Sequence, residues 1–201
     1  MSIVKLNNRS VKDVTAFGSI SSLGSLTHIA TQTASSSSTI SFTSGIDSTY
    51  KEYIFYFVNI HAQTDDAHFM FQGNAVGQSG FNETITSTHF RSYHTESDSA
   101  TNLSYGGSSD LAQSTSFQRL MVYMDNDSDS NGCGFLHLFN PSGTVGVKHF
   151  LSTNQHVYNS AYSWNSYTAG YFNTTSAIDE IQFKMSTGYI DSGQILLFGL
   201  N

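Results

Sequence analysis

The chain has 201 residues and a net charge of −7, with 11% charged side chains, 13% aromatic ones and a single proline. That is too aromatic for a disordered chain, and Lys and Arg are too sparse for a nucleic-acid-binding body, which needs basic groups in clusters. The one cysteine, Cys133, excludes an intrachain disulfide, and no apolar run reaches the ~18 residues of a membrane span.

The charge is uneven along the chain. Lys5, Arg9 and Lys12 give the first twelve residues three basic groups and no acid, leaving five basic groups against fifteen acidic ones on the rest. Val11, Val14 and Phe17 recur among polar residues, residues 18–26 are rich in Ser and Gly, and residues 31–39 are nearly all Ser and Thr. Such a segment cannot bury enough to fold alone. Residues 1–37 are therefore read as an arm that lies along its own domain or a partner, with Lys5, Arg9, Lys12, Val14 and Phe17 as its anchoring groups. Residues 38–201 are read as the folded domain. The start Met-Ser-Ile-Val-Lys lacks the apolar core of a secretory signal.

From Thr39 onward the pattern predicts strands near 39–43, 51–60, 67–72, 86–94, 116–124, 133–139, 144–152, 167–173, 178–185 and 194–200. Gly, Asn, Asp or Ser stands in most of the connections, and no amphipathic helix separates the strands. The expected fold is all-β, a jelly-roll-like antiparallel β-sandwich with an extended N-terminal arm. Two strands break the inside–outside alternation of a sandwich. Residues 53–60 set Tyr53, Phe55 and Phe57 against Ile54, Tyr56, Val58 and Ile60, and residues 195–200 set Ile195 and Leu197 against Leu196, Phe198 and Leu200. A strand apolar on both faces belongs in a sheet covered on both sides, so the last strand is expected in the middle of the core. A neighbouring subunit is the expected cover for the second face, which makes the protein a homo-oligomer.

Three groups of residues carry candidate chemistry. Asp125, Asp127 and Asp129 stand at the 1, 3 and 5 spacing of a calcium loop, but Ser130 and Leu136 replace the Gly and Glu that an EF-hand requires. A solvated hairpin tip is the preferred reading, with no metal and no cofactor. His61 and His68 flank Asp65 and Asp66, but ordinary packed or polar histidines are expected throughout. Tyr158, Tyr162, Trp164 and Tyr167 concentrate rings in a loop-rich stretch, and they serve equally as a glycan or partner contact or as cover for the sandwich end. No GxSxG elbow, phosphate-binding glycine loop or Cys/His dyad is present, and the adjacent Asp179 and Glu180 point to opposite faces of a strand. The expectation is a non-enzyme without catalytic residues.

Several phrases occur together: VKDVTAFGS at 11–19, IDSTYKEY at 46–53, FQRL at 117–120, HLFNPS at 137–142, VKHF at 147–150, GYFNTTSAI at 170–178 and IQFKMSTGYIDSGQILLFGL at 181–200. The chain resembles, nearly end to end, a group of structural proteins of marine tailed phages and cyanophages. That resemblance implies a virion component assembled in the host cytoplasm, either a capsid decoration or head-fibre protein bound to the major capsid protein or a part of the tail. It also favours a trimer over a dimer. The other reading is a tail-fibre adhesin that recognises host surface glycans.

Overall fold

In a computed structural model, which describes residues 26–158 and 161–201, the alternating pattern resolves into twelve β-strands and no helix among those residues. In chain order they are β1 (Thr27–Ser37), β2 (Ile40–Phe42), β3 (Glu52–Ala62), β4 (Ala67–Ala75), β5 (Ile85–Thr95), β6 (Thr101–Tyr105), β7 (Gln118–Met124), β8 (Gly132–Phe139), β9 (Lys148–Tyr158), β10 (Tyr162–Phe172), β11 (Ile178–Met185) and β12 (Ile190–Leu200). Every pairing is antiparallel. Eight strands form one sheet in the order β1-β12-β3-β8-β9-β10-β5-β6, and four form the other in the order β2-β11-β4-β7. The fold is an antiparallel β-sandwich, as the sequence predicts.

The core lies between the sheets and is built from rings. Phe183 on β11 is its hub, stacked on Phe69 at 5.6 Å and edge-on to Phe55 and Phe57 at 5.3 and 5.4 Å. Phe71, Phe150 and Phe172 extend the cluster towards β9 and β10. Each of these rings is essentially inaccessible to solvent. Edge-to-face pairs fix ring orientation as well as burying area, so the stack sets how the sheets sit on one another.

Several expectations need correction. Residues 27–37, grouped above with the arm, form the edge strand β1, paired to β12 from Thr27 opposite Gly199 to Ser37 opposite Ile190. Its Ser and Thr side chains suit an edge, where hydrogen bonds to one neighbour hold the backbone and little need face the core; Ala34 is its one buried apolar residue. The anchoring residues Lys5, Arg9, Lys12, Val14 and Phe17 lie outside the described residues. The stretch from Tyr158 to Phe172 is mostly strand, since Tyr158 ends β9 and residues 162–172 form its partner β10. Strand β6 is polar and exposed enough to leave no alternating signal.

The last strand is not covered on both sides. Ile195 and Leu197 are buried against the small sheet, whereas Leu196, Phe198 and Leu200 remain half-buried on the outer face. Ile60 also departs from the simple alternation. A bulge in β3, with Asn59 at φ 51° and Gly193 opposite at φ 118°, returns Ile60 and Ala62 to the core. A Cβ at Gly193 would stand 2.6 Å from the Asn59 carbonyl oxygen, so glycine is required there for space as well as for conformation.

Replacing Phe183 with Ala should lower stability by about 3–5 kcal/mol, because the large cavity cannot close without disturbing five neighbouring rings. Urea denaturation followed by the fluorescence of Trp164, the sole tryptophan, measures this; a loss below about 1 kcal/mol would show that the ring is not the hub.

Candidate functional site

The outer face of the eight-stranded sheet carries the most pronounced surface feature. A single line of cross-strand neighbours passes through all eight strands: Tyr105, Phe90, Tyr167, Thr153, Phe135, Tyr56, Leu196 and Thr31. The next line on the same face runs Thr88, Ala169, Leu151, His137, Ile54, Phe198 and His28. Beside them on the other flank the line turns polar, with Ser92, Asn165 and Gln155. The apolar side chains thus form a band across the strands instead of a uniformly greasy face. Ile54 is only 3% exposed without facing the core, being flanked by Phe198 and His137 in adjacent strands.

Within this band a groove of about 490 Å³ opens between Phe90 and Tyr167 on one side and Phe135, His137 and Phe139 on the other, with Leu151 in its lining. Phe90 and Tyr167 stack at 4.7 Å with an 11° interplanar angle. Phe90 is 43% and Leu151 50% exposed. Polar groups in the groove are few, and the most acidic, the Glu52 carboxylate, is already paired with His137 Nδ1. The groove presents rings and aliphatic surface with little to bond a polar ligand. That chemistry favours another apolar surface over a free sugar.

The four aromatic residues singled out in the sequence do not form one surface. Trp164 is buried at the end of the sandwich, stacked on Tyr93 at 5.3 Å, with the Arg91 guanidinium 4.8 Å above its ring. Tyr158 and Tyr162 join it in the same cluster, together with Tyr123. These three of the four cover the sandwich end, and only Tyr167 lies on the outer band. The other members of the band were missed because each sits singly among polar neighbours or on a strand whose second face was assigned to the core. The sequence FLHLF at 135–139, apolar on both faces, held a usable signal.

The acidic tip is organised as a turn. Asp125 is buried, and its carboxylate accepts from the Asp127 N–H at 3.2 Å and the Ser130 hydroxyl at 3.3 Å. His61 Nε2 meets the Asp127 carbonyl at 3.2 Å, and His61 Nδ1 lies 3.5 Å from the Asp191 carboxylate. His68 accepts the Tyr123 N–H at 2.9 Å. Among the described residues no three His, Cys, Asp or Glu side chains are grouped to share a metal ion.

The inner faces of β5, β9 and β10 carry polar residues where a sandwich ordinarily places apolar ones. Neighbouring rungs read His89, Thr168, Ser152 and then Arg91, Ser166, Asn154. The cause is β7, the last strand of the smaller sheet, whose outward edge carbonyls need donors. His156 Nε2 meets Val122 O at 2.7 Å, Asn154 Nδ2 meets Leu120 O at 3.4 Å, and Thr168 Oγ1 meets Arg119 O at 3.5 Å. Side chains of the large sheet thereby cap the edge of the small one. Burial pushes both His89 and His156 down to about 4, so each is neutral near pH 7.

Comparison with family models, with curated proteins and with solved structures gives no match.

Because an unfolded histidine titrates near 6.5, the unfolded chain takes up protons that buried His89 and His156 refuse. Stability is therefore complete above about pH 6.5 and falls as the pH drops towards 4, by up to about 1.4 kcal/mol per pH unit for each histidine. Denaturant unfolding between pH 7 and 5 should show this slope, and His89→Gln should reduce it. A flat profile would contradict two buried neutral histidines.

Proposed function

We propose that this chain is a non-enzymatic structural protein of a virion, a jelly-roll-like domain that assembles as a homo-oligomer and decorates the capsid surface. The apolar band on the large sheet carries the assembly part of this reading. Strands lie about 4.8 Å apart and same-face residues about 6.8 Å apart, so the two lines across the sheet cover on the order of 500 Å². That lies at the upper end of the ~300–600 Å² of the largest patch on a typical monomer and is more than half of the ~800 Å² that each partner gives to a standard interface. The virion part rests on the resemblance of the sequence phrases above to phage structural proteins, and the preference for a trimer rests there too. In this reading the N-terminal residues from Lys5 to Phe17 bind the major capsid protein or another virion protein.

The other reading is a tail-fibre adhesin with the same fold, in which the domain turns a face to host glycans. Copy number separates the two, since decoration needs hundreds of copies per particle and a fibre a few dozen at most.

Light scattering should give a mass near three times the 22.0 kDa of one chain, unchanged on dilution. Phe90→Ser combined with Leu151→Ser should shift that mass to the single chain, because both side chains are exposed in the band and neither belongs to the core. A single-chain mass for the unmodified protein overturns the oligomer, and an unaltered oligomer in the double variant moves the interface elsewhere.

A further inference from the structure

The body has few cations, and two of them line one cleft on the opposite face. Lys184 on β11, Met70 on β4 and Arg119 on β7 stand side by side across the small sheet. Both charged side chains line a hollow of about 440 Å³ walled by residues 108–111 and by Ser116 and Phe117. Arg119 Nη1 donates to the Ser108 carbonyl at 2.9 Å, while Lys184 Nζ lies 4.0 Å over the Phe117 ring. Neither cation has a carboxylate within ion-pair distance among the described residues. The nearby acid, Asp110, accepts the Tyr105 hydroxyl at 2.5 Å. Ser109 is 3% exposed, lines the hollow, and its hydroxyl finds no hydrogen-bond partner among the described residues.

We infer that this cleft binds a single carboxylate or sulfate group carried by a saccharide. Arg119 and Lys184 supply the charge, with a guanidinium fork suited to a planar or tetrahedral oxyanion. The unpartnered Ser109 hydroxyl supplies a further donor, and burying it unbonded would otherwise be costly. Asp110 decides the class of ligand. A carboxylate beside the cations leaves the cleft with one net positive charge, which balances a monoanion but leaves a phosphate dianion or a polynucleotide only partly neutralised, and it offers an acceptor to neighbouring sugar hydroxyls. The inference is independent of the assembly proposed above. If the eight-stranded face is covered, the four-stranded face is left outward, and the cleft is on it.

Isothermal titration of the full chain with a uronate oligosaccharide, a sulfated oligosaccharide and their neutral counterpart tests this. Binding is expected in at least one acidic arm and not in the neutral one, and it should weaken as salt is raised. Arg119→Gln and Lys184→Gln should each weaken it by about tenfold or more, and Arg119→Lys should recover part of the loss. Amide shifts of the unmodified protein should move at residues 108–111 and at Lys184, which keeps the test open if a variant fails to fold. Equal binding of the neutral sugar, no binding in either acidic arm, shifts confined to the aromatic band, or selective binding of a glutamate-rich peptide instead would each overturn the inference. Scattering of the same samples reports the oligomer separately.

Discussion

The inequality of the two sheets governs the rest of the structure. A four-stranded layer cannot cover the inner face of an eight-stranded one, and its last strand, β7, ends over β9 and β10 with an edge still carrying peptide carbonyls. Under the small sheet the large sheet is lined with Phe, Leu and Ile. Past it, the lining changes to His, Asn, Ser and Thr. Loop 106–117 completes the cover there, held by Gln118 Nε2 on the Ser109 carbonyl and by the Leu111 N–H on Ser87 Oγ. Removing a polar partner from such a network leaves a buried group unbonded, which usually costs more than the bond itself contributed.

The sandwich class was legible because its core strands alternate strongly, β11 above all with Ile181, Phe183 and Met185. Each expected strand overlaps an observed one, but 144–152 begins before β9 and stops short of its end at Tyr158, and 167–173 misses the first half of β10 from Tyr162. What stayed hidden did so for physical reasons. Strand β1 is a row of hydroxyl residues whose order comes from its partner β12, and nothing within residues 27–37 announces that partner. The bulge at Asn59 reverses the side-chain phase of β3, so simple alternation assigns Ile60 to the wrong face. The polar rungs at His89 and His156 read as surface in any alternating scheme, since only the position of β7 overhead explains them. For the candidate sites, the apolar outer residues of β3 and β12 were visible as an anomaly. That they join Phe90, Tyr167 and Phe135 in one band depends on register, which the sequence does not display.

The two outer faces differ in chemistry in a way that suits different jobs. The large sheet offers rings in a continuous band with little hydrogen-bonding capacity, the character of a surface that meets another apolar surface. The small sheet offers Arg119, Lys184, Ser109 and Asp110 around a hollow, the character of a surface that meets a hydrated ligand. An assembly that hides the first and displays the second would use both without conflict.

The order of strands also bears on when the fold can form. Strand β12 lies between β1 and β3, and β11 lies between β2 and β4. Each sheet is therefore keyed by a strand made late, inserted between two made early. Until β11 and β12 have been synthesised, β1 and β2 lack their partners, and Phe42, Phe55 and Phe69 lack the ring of Phe183 that joins them. A nascent chain would hold β1 and β2 without a strand partner through most of its translation, whereas β3 and β4 can pair with β8 and β7 before β11 and β12 are made. The Ser- and Thr-rich composition of β1 lessens the hazard of that wait, because a waiting strand with Ile29 as its one large apolar side chain is a poor template for aggregation.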